Sequence, residues 1–267
     1  MKSYLDGKTY IITGGSRGIG LKAAHALSRR GARAALFGRD EAALKAGAAS
    51  VGNGAIYFVV DIENPGALKS TIDRAAEVLG GLDGIINNAG VSLMNKVEDL
   101  VEAKVSQQVN VNFLAQVYGC QAAIPHLRRR GGGRIVNVSS VTVRALDEFT
   151  QIGIYSATKA AVERFTLELR REVKPDKIGV TLFSPGSTST AFGSGQDPAI
   201  MEVAFKEWLD RAEFYDGTLS AEEAGEAMVA SIDLPDGTNF DFVEFNPNRP
   251  TPRRQTLEDY GERGNNP

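Results

Sequence analysis

Tyr155 and Lys159 stand four residues apart in the stretch 152–169, whose apolar members Ala157, Ala160, Ala161, Phe165, Leu167 and Leu169 recur at helical rather than alternating spacing. On a helix the two side chains share a face, one turn apart, which brings an ammonium beside a phenol. A free tyrosine has a pKa of about 10 and is a poor acid at neutral pH. A neighbouring cation favours the phenolate, at about 1.4 kcal/mol per unit of lowering, and a phenol brought down by roughly two or three units can exchange a proton with an alcohol or a carbonyl near neutrality. The expectation is a lowered Tyr155 phenol. The same spacing also arises in any helix that packs a tyrosine in the core and leaves a lysine in water, so other residues must decide between the readings.

A second set lies near the start of the chain. Tyr10, Ile11 and Ile12 lead into Thr13-Gly14-Gly15-Ser16-Arg17-Gly18-Ile19-Gly20, after which Ala23, Ala24 and Leu27 continue with helical spacing to Gly31. Strand, glycine-rich turn and helix is the arrangement that holds a pyrophosphate: absent side chains let the backbone come close, and the free N–H groups of the first helical turn face the anion. The spacing is Gly-x-x-x-Gly-x-Gly, and a tight turn with no ligand would read much the same. The next strand, 32–37, ends in Gly38-Arg39-Asp40. In dinucleotide sites an acid at this place holds the ribose hydroxyls, whereas an arginine suits a 2′-phosphate. Gly38 stands where the acid is expected, and Arg39 and Arg17 are near enough to serve a phosphate, so the pattern favours NADP(H) over NAD(H). Both arginines can also be read as solvated surface charges. Asp40 reads as the N-cap of the following helix.

The elements that must position these residues alternate along the chain. Strands are expected at 8–14, 32–37, 55–60, 82–87, 133–138, 178–183 and 240–245. Helices are expected at about 18–31, 40–50, 64–79 (with Pro65 in its first turn), 98–127, from 155 onward, and at 220–232, where Ser220 and Glu223 form a start signal. Strand alternating with helix predicts an α/β fold, a doubly wound, Rossmann-like parallel sheet in three α/β/α layers and one domain. Residues 1–247 would form that domain, with a lid at about 188–218, and the polar segment 248–267 a loosely ordered tail. Asn87-Asn88-Ala89-Gly90 closes the fourth strand with small residues and backbone-bonding amides, or as an ordinary turn. Within the long helix Gln107, Gln108, Asn110, Asn112, Gln116 and Gln121 form a polar face. Asparagine lowers helix propensity, and exposure to solvent is the plain reason for finding two there.

With 267 residues, 42% of them hydrophobic, the chain can bury one large core. A net charge of −3 supplies no general attraction to nucleic acid or anionic membrane, and Arg128-Arg129-Arg130 reads as a basic surface turn. The single cysteine, Cys120, rules out an intrachain disulfide and suits a reducing compartment; His25 and His126 lack ligand spacing, so no metal site is expected. No apolar run is long enough to span a bilayer and the first residues lack a signal-peptide core, so a cytoplasmic protein is the default expectation.

Taken together and in order, the Thr13–Gly20 loop, Asp61, Asn87 to Gly90, Asn112, Ser140, Tyr155-x-x-x-Lys159 and Pro185-Gly186 with Thr190 resemble the short-chain dehydrogenase/reductase family, in its single-domain branch of about 250 residues. The resemblance is close over about residues 5–190 and looser beyond. It implies a role for each residue. Tyr155 would be the general acid/base, Lys159 would lower its pKa and bond the nicotinamide ribose, and Ser140 would hold the substrate oxygen, preferred over Ser139 by its distance from Gly133. Asn112 would complete a proton relay through water to Lys159. Gly14, Ser16, Arg17, Gly18, Ile19 and Gly20 would hold the diphosphate side and Arg39 the 2′-phosphate. Asp61 and Ile62 would meet the adenine, and Asn88, Ala89 and Gly90 the adenosine ribose. Pro185, Gly186, Thr188 and Thr190 would meet the nicotinamide carboxamide.

The resemblance therefore implies an NADP(H)-dependent oxidoreductase acting on a ketone or aldehyde, or on a secondary alcohol, as a homotetramer or homodimer. A non-catalytic NADP-binding sensor or scaffold is the alternative; loss of Tyr155 or Lys159 would favour it, and both are present. Epimerases and dehydratases of the same fold usually carry a longer C-terminal substrate domain, for which this chain lacks the length, so that third reading is not the expectation. The Ser140–Tyr155 interval, with Leu146, Asp147, Glu148 and Phe149, is slightly longer than usual and is expected to alter one pocket wall. Phe192, Met201, Phe205, Trp208, Leu209, Phe214 and Tyr215 make the lid apolar, either for an apolar substrate or to pack on the core or on a neighbouring subunit.

Overall fold

The computed structural model describes residues 3–145, 148–190, 196–211, 214–215, 217–249 and 251–252. The chain runs β1 (Thr9–Thr13), α1 (Gly18–Arg29), β2 (Arg33–Gly38), α2 (Glu41–Val51), β3 (Ile56–Val59), α3 (Pro65–Leu79), β4 (Gly84–Asn87), α4 (Glu102–Val109), α5 (Ala115–Arg129), β5 (Gly133–Val138), α6 (Gly153–Val173) and β6 (Ile178–Pro185). It continues through β7 (Thr188–Ser189), α7 (Pro198–Leu209), β8 (Phe214–Tyr215), β9 (Leu219–Ser220), α8 (Ala221–Ala230), β10 (Phe242–Phe245) and β11 (Thr251–Pro252).

Seven strands form one sheet in the order β10-β6-β5-β4-β1-β2-β3, and every neighbouring pair is parallel. Parallel strands covered on both faces read as continuous apolar runs, and alternate residues feed opposite layers. Ile11, Ile85, Ile135 and Val180 pack with Leu68 and Ile72 of α3, Leu127 of α5 and Leu169 of α6. Their neighbours Ile12, Ile86, Val136 and Phe183 pack with Ala24 and Leu27 of α1, Leu44 of α2 and Met228 of α8. This is the doubly wound, three-layer α/β architecture. Strand order reverses between β1 and β4, and ligands of such sheets bind in the crevice beyond the carboxyl ends at that point.

Local signals act where the sequence places them. Asp40 and Asn64 cap α2 and α3, Pro65 occupies the first turn of α3, and Ser220 with Glu223 forms a capping box on α8. The expected helix 98–127 is corrected: a 3-10 turn at Val97–Asp99 precedes α4, and a π-helical turn, Asn110–Leu114, separates α4 from α5. Segments at both ends of the region 188–218 are tied to each other and to the chain beyond. Thr188 and Ser189 pair in parallel with Leu219 and Ser220, Phe214–Tyr215 pairs antiparallel with Thr251–Pro252, and Arg249 bonds Glu223 and the Thr218 carbonyl (2.9 Å). Phe192 and residues 253–267 lie outside the described residues, as do Leu146 and Asp147. Among the described residues no helix is long and apolar enough to cross a membrane and no group of side chains could hold a metal ion.

Candidate active site

The carboxyl ends of β1, β4 and β5 carry the glycine loop, the 88–90 turn and Ser140, and the first two turns of α6 carry Tyr155 and Lys159. Tyr155 and Lys159 sit on the buried face of α6, at 8% and 2% exposure. The Lys159 Nζ lies 5.7 Å from the centre of the Tyr155 ring and donates to the Val138 carbonyl at the end of β5 (2.8 Å). The Tyr155 hydroxyl is hydrogen-bonded to Ser140, whose Oγ also accepts from the Thr142 N–H (3.3 Å) and hydroxyl (3.1 Å). Ser139 turns the other way and donates to the buried Glu163 carboxylate (2.8 Å), so Ser140, not Ser139, faces the phenol.

The expected direction of the tyrosine shift is overturned in this structure. Burial pushes the Tyr155 phenol up to about 12, with the Ser140 hydrogen bond only partly opposing it. Burial likewise pushes the Lys159 ammonium down to about 7. Both groups lose solvation of their charged forms, and that loss outweighs the attraction expected from spacing alone.

Asn112 is fully buried, which corrects the solvent-face reading of the polar stripe. Its amide clamps Val91 by both backbone groups, accepting from the N–H and donating to the carbonyl (2.8 Å each), and donates to Thr158 Oγ1 (3.2 Å), which itself donates to the Tyr155 carbonyl (2.6 Å). The π turn gives the extra residue that swings Asn112 inward, and such turns concentrate at functional sites. Asn112 is joined to Lys159 through Gln116, whose Nε2 donates to the Asn112 carbonyl and to the Val138 carbonyl (3.1 Å each), the same oxygen that holds Lys159. Gln108, fully buried, repeats the clamp one turn earlier on the N–H (3.1 Å) and carbonyl (3.3 Å) of Leu93. Gln108 and Gln116 were not among the expected site residues. Their signal was available: Gln108, Asn112 and Gln116 recur every fourth residue, one stripe that can face inward.

The glycine loop is built for close approach. Gly14 and Gly18 have φ of +67° and +56°, which other L-residues rarely adopt, and a Cβ on Gly20 would stand 2.4 Å from the Gly14 carbonyl oxygen. The first turn of α1 has neither a side-chain cap nor an acidic residue, which leaves its N–H groups for an anion. Thr13 Oγ1 receives the N–H groups of Asn88 and Ala89 (3.1 Å each), and Asn88 Nδ2 donates to the carbonyl of Thr13 (3.0 Å), so the turn 88–90 braces the loop. Ser16 and Ile19 are half-buried at the loop, Gly90 is half-buried beyond β4, and Arg17 and Arg39 are exposed, their side chains making no hydrogen bond or ion pair with the described residues. Asp61 is exposed beyond β3 and accepts from Glu63 N–H (3.1 Å), while Ile62 is buried in the core. Pro185 ends β6; Thr188 donates to the Gly186 carbonyl (2.8 Å), and a Cβ on Gly18 would lie 3.5 Å from the Thr190 methyl.

A parallel doubly wound sheet, with a glycine loop at its switch point and a buried Ser–Tyr–Lys set beside it, defines a class of dinucleotide-dependent enzyme folds. Comparison with known proteins gives the class its family. Residues 8–199 match the short chain dehydrogenase family model, and the chain belongs to this family of oxidoreductases. An uncharacterised oxidoreductase of Staphylococcus aureus (strain USA300) is 29% identical over 244 residues, 91% of this chain and 98% of that protein. A ketoacyl reductase, HetN, of a Nostoc species is 30% identical over 188 residues, 69% of this chain and 65% of that one. Among solved structures, a short chain dehydrogenase from Burkholderia cenocepacia in complex with NADP is 30% identical with a TM-score of 0.78. An alcohol dehydrogenase from Thermococcus sibiricus complexed with 5-hydroxy-NADP is 25% identical, also with a TM-score of 0.78; each comparison covers 92% of this chain and 98% of the other.

Proposed function

We propose that the protein transfers hydride reversibly between NADP(H) and a ketone or aldehyde, or the corresponding secondary alcohol, with Tyr155 as general acid/base. The observation that carries this reading is the Tyr155 hydroxyl bonded to Ser140, with the Lys159 amine 5.7 Å from the centre of its ring. The uncapped first turn of α1 and the left-handed Gly14 and Gly18 fit a dinucleotide diphosphate, with Ser16, Ile19 and Gly20 completing the loop. Arg17 and Arg39 would take a 2′-phosphate, Asp61 and Ile62 the adenine, and Asn88 to Gly90 the adenosine ribose. Pro185, Gly186, Thr188 and Thr190 would border the nicotinamide. The two NADP-bound structural relatives support the same coenzyme.

The bound dinucleotide supplies or accepts the hydride. The rest falls to side chains. Ser140 holds the substrate oxygen by its hydroxyl. In reduction Tyr155 gives that oxygen its proton, and in oxidation the phenolate takes it back. Lys159, when charged, stabilises the phenolate and would bond the ribose of a bound nicotinamide, and Asn112 with Gln116 fixes the carbonyl that aims it. The fold supports assembly through the β10 edge, where Phe242 is 41% exposed.

A panel of ketones, aldehydes and secondary alcohols, followed by nicotinamide absorbance with each coenzyme, should give NADPH consumption with at least one carbonyl compound. NADPH binding with no turnover anywhere in the panel would replace this reading with a binding protein. Arg39→Ala should raise the Kd for NADPH about 10- to 100-fold, the worth of one charge-assisted bond, and leave NADH within about twofold. Equal losses for the two coenzymes would remove the NADP preference.

A further inference from the structure

Three segments meet at the mouth of the site, and the lid helix is bonded to both of the others. Gln196, just before α7, accepts from the Met94 N–H (3.2 Å) and donates to the Ser92 carbonyl. Near the end of α7, the Glu207 carboxylate accepts from the Thr150 hydroxyl (2.6 Å) and the Gln151 amide (3.3 Å). The adjacent Trp208 donates its indole N–H to the Thr150 carbonyl (3.0 Å), and its ring meets the Phe149 edge at 5.2 Å between centres. The two loops are joined directly as well, Asn95 N–H to the Gln151 carbonyl (3.0 Å).

Gln151 is the focus of these contacts, and its backbone is left-handed, φ +63°. For a residue with a Cβ this conformation is disfavoured and persists only where surrounding contacts over-determine it. Its position gives that conformation a consequence. Gln151 lies two residues before α6 begins and four before Tyr155, and Ile152 at the helix start has no side-chain cap. The direction in which α6 starts is therefore set from outside the helix.

We propose that Glu207 is a positioning residue: from α7 it holds Thr150 and Gln151, and through the left-handed Gln151 it sets the start of α6 and the aim of Tyr155. The hydrogen bonds from Thr150 and Gln151 also hold the Glu207 carboxyl below the usual glutamate range, so the charged form makes the contact at neutral pH. The catalytic consequence rests on the reductase reading, whereas the positioning itself does not.

Trp208 is the sole tryptophan, so the full-length chain carries its own reporter. Glu207→Ala should raise acrylamide quenching of Trp208 at least about twofold and speed hydrogen exchange at amides 152–156 about fivefold, as loss of a local tie does. Glu202→Ala, on the exposed face of the same helix, should leave both at wild-type values. Gln151→Gly removes the backbone penalty, and in that background Glu207→Ala should lose most of its effect on the α6 amides. With the best carbonyl substrate, Glu207→Ala should raise KM about fivefold and leave the NADPH Kd unchanged. Unaltered exchange at 152–156 in Glu207→Ala, or an equal effect from Glu202→Ala, would overturn the assignment. Wild-type protein that turns over nothing, with the exchange results as expected, would sink the reductase reading and leave the positioning role standing.

Discussion

Replacing Tyr155 by phenylalanine should lower the proposed carbonyl reduction about 10²- to 10⁴-fold, the range supplied by a positioned general acid. The ring stays, so packing around α6 is kept, and Ser140 keeps both bonds from Thr142. The cost to stability is therefore that of one hydrogen bond, about 1 kcal/mol. NADPH binding loses no more than a comparable amount, about fivefold. The direction of the tyrosine shift adds a second readout. A phenol pushed up to about 12 stays protonated through the neutral range and is ready to donate, so the tyrosine itself adds no pH dependence to wild-type reduction from pH 6 to 8. Oxidation of the alcohol needs the deprotonated form and should climb as pH rises. The measurements are steady-state rates in both directions across pH, with coenzyme binding followed separately. Near-normal turnover by Tyr155→Phe, or alcohol oxidation that falls toward alkaline pH, would remove Tyr155 from its role.

The framework was legible because parallel strands buried on both faces leave apolar runs such as Tyr10 to Ile12, and because capping is local chemistry. Asp40, Asn64 and Ser220 cap the helices that follow them. Tyr155 and Lys159 were legible for a similar reason, since four-residue spacing fixes a shared face whatever the fold. The polar stripe shows where that logic stops. Gln108, Asn112 and Gln116 have the spacing of an inward face and the composition of an outward one, and only the backbone lying against them, at Val91, Leu93 and Val138, decides the matter. The π turn follows the same rule, because it is tertiary packing that selects the extra residue. The sign of the Tyr155 shift depends on how much water reaches two side chains, a quantity no spacing contains. The hold of Glu207 on Thr150 and Gln151 joins residues more than fifty positions apart and has no local mark at all.

The same burial makes Lys159 an unusual place to remove a charge. The ammonium has three donors; its Nζ donates to Val138 (2.8 Å) and faces the Tyr155 ring, in a site with 2% exposure. Burial takes its pKa from 10.5 down to about 7, so folding disfavours the charged form. Methionine matches the length, carries no charge and can occupy a buried channel. It gives up one charge-assisted bond, worth about 1.5–3 kcal/mol, but each pKa unit of displacement costs the charged lysine about 1.4 kcal/mol, and the displacement exceeds two units. Val138 keeps its bond from Gln116 in either protein. Lys159→Met should thus lose turnover by about 10³-fold while melting no lower than wild type at neutral pH. The pH dependence follows from the folded pKa lying below the unfolded one. Above pH 10.5 both states of the wild type hold a neutral amine and the penalty vanishes; it grows as pH falls toward 7 and is complete below that. The advantage of the methionine variant should therefore be widest at and below pH 7 and close by about pH 10.5, measured as Tm without added coenzyme. A variant much less stable than wild type at pH 7, or an advantage that widens with alkali, would mean that Lys159 is charged and well satisfied in the folded chain. The enzyme would then begin from a fixed cation instead of from an amine that titrates near neutrality.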